Sequence, residues 1–158
     1  MNVLEYAKLS EIDPNDFICL LNKQKIREHL IEHELFDIGS VESWINGKIQ
    51  VDSIRGCKVR AIIFNHYLAG WCGIQLEGEK YEIAIVIDDK HWGIGKAVFL
   101  DIMGWAKAFG HDELFIHFHH TRPKYEFLRR MSKRVYQSEF LGSKFTTYQL
   151  TVNGHLIR

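Results

Sequence analysis

The stretch Tyr81–Ala97 reads YEIAIVIDDKHWGIGKA and is the most informative in the chain. Aliphatic strand-formers run to Ile87, a short polar turn follows, and helix-spaced apolar residues begin near Ile94. Gly93 and Gly95 stand at the mouth of that helix. Glycines there let an anion approach the backbone. The first N–H groups of a helix lack intrahelical partners and lie at the positive end of its dipole. The stretch therefore predicts a strand–turn–helix able to hold a phosphate or pyrophosphate, with Lys96 as an added cation. Two common phosphate loops do not fit. A P-loop needs an upstream Gly and a Ser or Thr where Ala97 stands. A dinucleotide fingerprint needs a third Gly where Val98 stands. The plain alternative is a strand-to-helix turn whose glycines serve packing only.

The segments on either side supply the order of elements. Upstream, Cys57–Phe64, Tyr67–Leu76 and Tyr81–Ile87 are β-rich runs separated by short turn-like segments, which predicts an antiparallel meander. Before them, Val3–Leu9 reads as a strand, and Asp13-Pro14 opens a helix with Asp as cap and Pro at the first position. Lys23–Glu34 is helix-prone, with Ile26, Leu30 and Ile31 in a stripe. Ser40 is expected to cap a short helix carrying Val41, Trp44 and Ile45. Downstream, Ile94, Ala97, Val98, Ile102, Trp105 and Phe109 mark an amphipathic helix ending near Gly110. Leu114–His119 is a strand, and Thr121 with Pro123 starts a helix through about Arg134. Val135–Phe140 and Phe145–Val152 close the chain as a hairpin around Leu141–Lys144. This is an α/β or α+β plan with one mixed sheet.

Composition bounds the function. The chain has 158 residues, of which 46% are hydrophobic and 25% charged, and twenty Lys+Arg balance twenty Asp+Glu. One domain spanning 1–158 is expected, with no linker or repeat. Zero net charge argues against a general DNA or polyanion binder. Cys19, Cys57 and Cys72 form no C-x-x-C pair, so three reduced thiols are expected. No signal peptide or membrane-length apolar run is visible, which points to a cytoplasmic location without membrane association. The neutral total conceals unlike parts. Residues 1–46 carry nine acidic and four basic residues, whereas 122–134 carry six basic and one acidic. Both read as solvated faces or as complements to charged ligands.

Lys90-His91-Trp92-Gly93-Ile94-Gly95, with the preceding strand and following helix, resembles motif A of the GNAT superfamily of acyl-CoA-dependent N-acyltransferases, [QR]-x-x-G-x-[GA]. Lys90 is a cationic substitute for the family's Gln or Arg. The order β-α-α-β-β-β-α-β-α-β-β also resembles the GNAT plan over nearly the whole chain. The resemblance implies a mostly antiparallel central sheet flanked by helices, with the fourth and fifth strands splayed. It implies acetyl-CoA as co-substrate, its pantetheine along Ile85, Val86 and Ile87. Its pyrophosphate would lie on Lys90, His91, Trp92, Gly93, Ile94, Gly95, Lys96 and Ala97. Direct transfer to a primary amine of a small molecule or a protein follows, with no metal; a homodimer stays open. A binding module of the same fold without turnover is the rival.

Three residues lead the candidate catalysts. Glu82 opens the fourth strand, where some GNAT enzymes place a general base; a solvent-facing strand residue is the alternative. The family's acid is a Tyr on the helix after the fifth strand, but Leu128 falls on that position. Tyr125, one turn earlier, and Tyr136, beyond the helix, are the substitute candidates; Tyr125 also reads as a core residue with its hydroxyl at the rim. His117, His119 and His120 crowd the end of the fifth strand, and alternation puts His117 and His119 on one face. His119 is the candidate base or substrate contact; otherwise these histidines line a cleft.

Overall fold

The computed structural model describes residues 2–23, 26 and 34–152, without the side chain of Trp92. One seven-stranded sheet runs through it. Its strands are β1 (Leu4–Ala7), β2 (Lys58–Phe64), β3 (Tyr67–Glu77), β4 (Lys80–Ile87), β5 (Glu113–His119), β6 (Ser132–Phe140) and β7 (Ser143–Thr151), in the spatial order β1-β2-β3-β4-β5-β7-β6. Every neighbouring pair is antiparallel except β4 and β5. The helices are α1 (Pro14–Leu21), α2 (Ile38–Asp52), α3 (Gly95–Phe109) and α4 (Glu126–Arg130). This is the mixed, mostly antiparallel sheet flanked by helices that the sequence predicts.

Two apolar layers cover the sheet. On one face Ile74, Ile83, Ile116 and Tyr148 pack with Val98, Phe99 and Ile102 of α3 and Leu128 of α4. On the other face Val59, Ala61, Trp71 and Val86 pack with Phe17 and Leu20 of α1 and Val41 and Ile45 of α2. A sheet buried on both faces excludes water from its middle, so any chemistry must use its edges or gaps.

Local signals explain most boundaries. Asp13 caps α1 as expected, its carboxylate accepting the Asn15 N–H at 2.9 Å. The cap of α2 is Asp37 rather than Ser40. Ser40 donates its N–H to Asp37 Oδ1 at 2.8 Å, and Asp37 donates its N–H to Ser40 Oγ at 2.9 Å. Both residues are capping types three apart, and the reciprocal box places the earlier one at the cap. α2 also runs on to Asp52, well past Ile45. The stripe predicted over Lys23–Glu34 lies mostly outside the described residues; Ile26 is buried.

α3 ends at Gly110, whose φ of 84° is the left-handed cap conformation. Its buried stripe is Val98, Phe99, Ile102, Met103 and Ala106, whereas Ala97 and Phe109 are exposed. Two apolar stripes overlap on this helix, and the sheet selects the one centred on Val98 and Ile102. α4 is much shorter than the predicted helix, and β6 already begins at Ser132. The charges at Arg129, Arg130, Lys133 and Arg134 suit an edge strand as well as a helix surface. Pairing with β7 selects the strand. The closing turn is only Leu141-Gly142, with φ of 47° and 80°. Such doubly positive turns match the right-handed twist of a hairpin.

Candidate active site

Parallel pairing between β4 and β5 is confined to Glu82 opposite Phe115 and Ile83 opposite Ile116. Beyond that point β4 stays paired to β3 as far as Ile87, and β5 stays paired to β7 as far as His119. The two strands therefore part as they run toward their C-terminal ends. The edge of β4 over Ile85, Val86 and Ile87 faces this gap, where an extended ligand can pair as an added strand. Side chains alternate there: Ile85 and Ile87 belong to the α3 layer and Val86 to the α1–α2 layer.

Asp88, immediately after β4, pins the strand's tip. Its N–H donates to the Ala69 carbonyl at 2.7 Å, and its own carbonyl accepts the His91 N–H at 2.8 Å. Its carboxylate is buried and ion-paired with Lys23, and accepts the Lys90 N–H at 3.3 Å. Burial works against the charge. The hydrogen bonds from Lys23 and the Lys90 N–H, together with the Lys23 charge, outweigh it and hold the carboxyl below its ordinary range. Residues Asp89–Ile94 form a 3-10 segment that kinks at His91, whose ring packs on Phe64. α3 follows, and its cap residue Ile94 supplies no side-chain hydrogen bond to the first N–H groups.

Gly93 is exposed, and a Cβ built on it meets nothing within 4 Å. Lys96 holds its ammonium over the Phe127 ring at 5.1 Å. A free strand edge leading to uncapped helix N–H groups beside an open glycine fits an extended thiol arm ending in a pyrophosphate. Among the described residues a cavity of about 50 Å³ lies under α2, lined by Lys8, Lys48 and Asp52 among others.

At the base of the gap, on the α1–α2 face, polar side chains link four strands. Glu82 Oε2 lies 3.0 Å from His117 Nε2, and His117 Nδ1 lies 2.6 Å from Thr147 Oγ1. The Thr147 hydroxyl is 2.7 Å from Ser138 Oγ. Both Glu82 and His117 keep a small part of their surface in solvent, 23% and 18% of the side chain. The edge of the Phe140 ring closes on the imidazole at 4.9 Å. A carboxylate so placed can take a proton, and the imidazole can orient it or pass the proton on.

The other two candidates lie elsewhere. His119 shares the face of His117, as alternation predicts, and its Nδ1 lies 3.0 Å from Thr121 Oγ1. Burial, and then His120 beside it, lower its proton affinity. Tyr125 is on the opposite face, its ring against Phe118 and its hydroxyl accepting from Arg122 at 2.7 Å. The structure thus joins Glu82 to His117, not to His119 or Tyr125. Leu128, on the position expected for an acid, carries no ionisable group and is buried in the core. Among the described residues no group of three His, Cys, Asp or Glu could hold a metal ion. No helix among them is long and apolar enough to cross a membrane.

No family model and no curated protein matches this sequence. Solved structures do match it in fold. A GNAT-family acetyltransferase from Streptococcus pneumoniae aligns at a TM-score of 0.63 and 14% identity, over 95% of this chain and 99% of that one. The acetyltransferase from Salmonella typhimurium that modifies the N-terminal serine of ribosomal protein L7/L12 aligns at 0.69 and 16%, over 96% and 95%. The PaiA N-acetyltransferase from Thermoplasma acidophilum, in complex with coenzyme A, aligns at 0.61 and 14%, over 94% and 99%. The fold is the GNAT N-acetyltransferase fold.

Proposed function

From that shared acetyltransferase fold, we propose that this protein transfers an acetyl group from acetyl-CoA to a primary amine. The observation that carries the reading is the parting of β4 from β5 with Glu82 at its base. The gap leads from the N-terminus of α3 on one side of the sheet to a hydrogen-bonded carboxylate on the other. Acetyl-CoA supplies the thioester: the amine's C–N bond forms, the C–S bond breaks, and an amide and a thiol leave.

Each part of the chain then has a task. The backbone of Ile85–Ile87 aligns the pantetheine, and the N–H groups of His91 through Ala97, with Lys90 and Lys96, hold the pyrophosphate. Trp92 belongs to the same loop. Glu82 accepts the proton of the incoming ammonium, and His117, held by Thr147, positions its carboxylate. Tyr125 and His119 flank the gap on its two faces, where either can contact the thiol or the acceptor. No metal is needed, and the protein works as one unit in the cytoplasm.

A thermal shift with acetyl-CoA tests the binding half. We expect a clear rise in melting temperature that Gly93→Glu abolishes while leaving the unliganded melting temperature nearly unchanged, because the Gly93 Cβ direction is open. An absent rise at millimolar acetyl-CoA would overturn the assignment. Thiol release across a panel of amines tests turnover. Buried Leu128 in place of an acid favours one rival, an acyl-CoA-binding module without turnover. Binding without thiol release on any amine selects that rival.

A further inference from the structure

On the α1–α2 face of the sheet, beside Glu82, α2 and β3 enclose a lysine ammonium. Lys48 Nζ lies 4.6 Å from the ring centre of Trp71 and 5.8 Å from that of Trp44, and donates to Gln75 Oε1 at 2.5 Å. The two indoles meet edge to face at 5.4 Å. Gln75 stands directly opposite Glu82 across the β3–β4 ladder.

A lysine near a surface normally extends its ammonium into water. This one is drawn under the indoles, and no carboxylate lies within ion-pair reach of it among the described residues. Burial lowers its proton affinity, with Glu77 offsetting part of that. Two aromatic faces and one amide oxygen hold this ammonium, and these are the walls of a cation site.

We propose that this box of Trp44, Trp71 and Gln75 receives a second, non-reacting ammonium of the acceptor, and that Lys48 fills it until the acceptor arrives. The acceptor class is then an α,ω-diamine or a lysine-like compound. Two chemistries separate its nitrogens. Aromatic faces favour the charged form of an amine, which is a poor nucleophile, whereas the reacting amine must lose a proton to Glu82. The proposal rests on the acetyl-transfer reading for the fate of the reacting nitrogen, but the box is testable without turnover.

The test is calorimetric titration of the full chain with 1,5-diaminopentane and with 1-aminopentane. Lys48→Met keeps the apolar arm and removes the competing charge. We expect it to bind the diamine at least about tenfold more tightly than the wild type does, with the monoamine unchanged. Adding Trp44→Leu, at a half-buried position, should remove the gain. Equal diamine affinity in wild type and Lys48→Met overturns the proposal, as does an equal gain for both amines. Tight diamine binding without thiol release would overturn acetyl transfer and leave the box standing. Thiol release on both amines that Lys48→Met does not alter would do the reverse.

Discussion

Glu82 shows what a single side chain can be asked to do here. Its carboxylate is partly shielded, stands on the last rungs before the gap and is held by one imidazole. Removing a positioned base costs about 10²–10⁴ in rate. Glu82→Gln should therefore lower kcat by that order with KM for acetyl-CoA nearly unchanged, read by steady-state thiol release. In the proposed reaction His117 acts through Glu82. His117→Gln, which keeps a donor, should lose less activity than His117→Ala, while both bind acetyl-CoA as the wild type does. Equal losses for the two would deny the imidazole its positioning role. The sequence offered Glu82 and a cluster of three histidines and singled out His119, whereas the structure joins Glu82 to His117. The choice depends on a register between residues 35 apart, fixed by how β4 and β5 seat on the core.

At the scale of elements, local chemistry was readable where it acts alone. Asp13-Pro14, Gly110 and the strand–turn–helix of Tyr81–Ala97 behave as their residue types dictate. Elements settled by pairing were not. α4 and β6 share one charged run, and only β7 decides where helix gives way to strand. The same hairpin carries a measurable strain. Leu141 is 84% exposed at φ 47°, a conformation that costs an ordinary residue about 1–2 kcal/mol. Leu141→Asn, a residue more tolerant of that region, should raise stability by about 1 kcal/mol. That is a melting-temperature increase of about 2–4 °C for a chain of this size. An unchanged or lower melting temperature would show that Leu141 makes a compensating contact.

Across the whole molecule, the neutral charge total hides paired extremes, and one pair ties the ends of two elements together. Lys23, just past α1, reaches Asp88 at the tip of β4. The folded carboxyl binds its proton less readily than an unfolded one. Its stabilisation is therefore complete above the ordinary aspartate range and is lost as pH falls through the folded value. Asp88→Asn should cost about 1–3 kcal/mol at pH 7, since Lys23 keeps some solvent. The gap to wild type should shrink as pH drops below about 4. Denaturant melts at pH 7 and pH 3 check this, and a constant gap would place the effect outside the ion pair.

The two rungs that join β4 to β5 have a mechanical meaning as well. Four strands lie on one side of that seam and three on the other, and Glu82 and Ile83 are the only β4 residues laddered across it. An extended ligand lying along Ile85–Ile87 would lengthen the seam and act as a splint between two plates. Occupancy would then be felt far from the ligand, as stiffening of one plate against the other, and release of product would restore their freedom to flex.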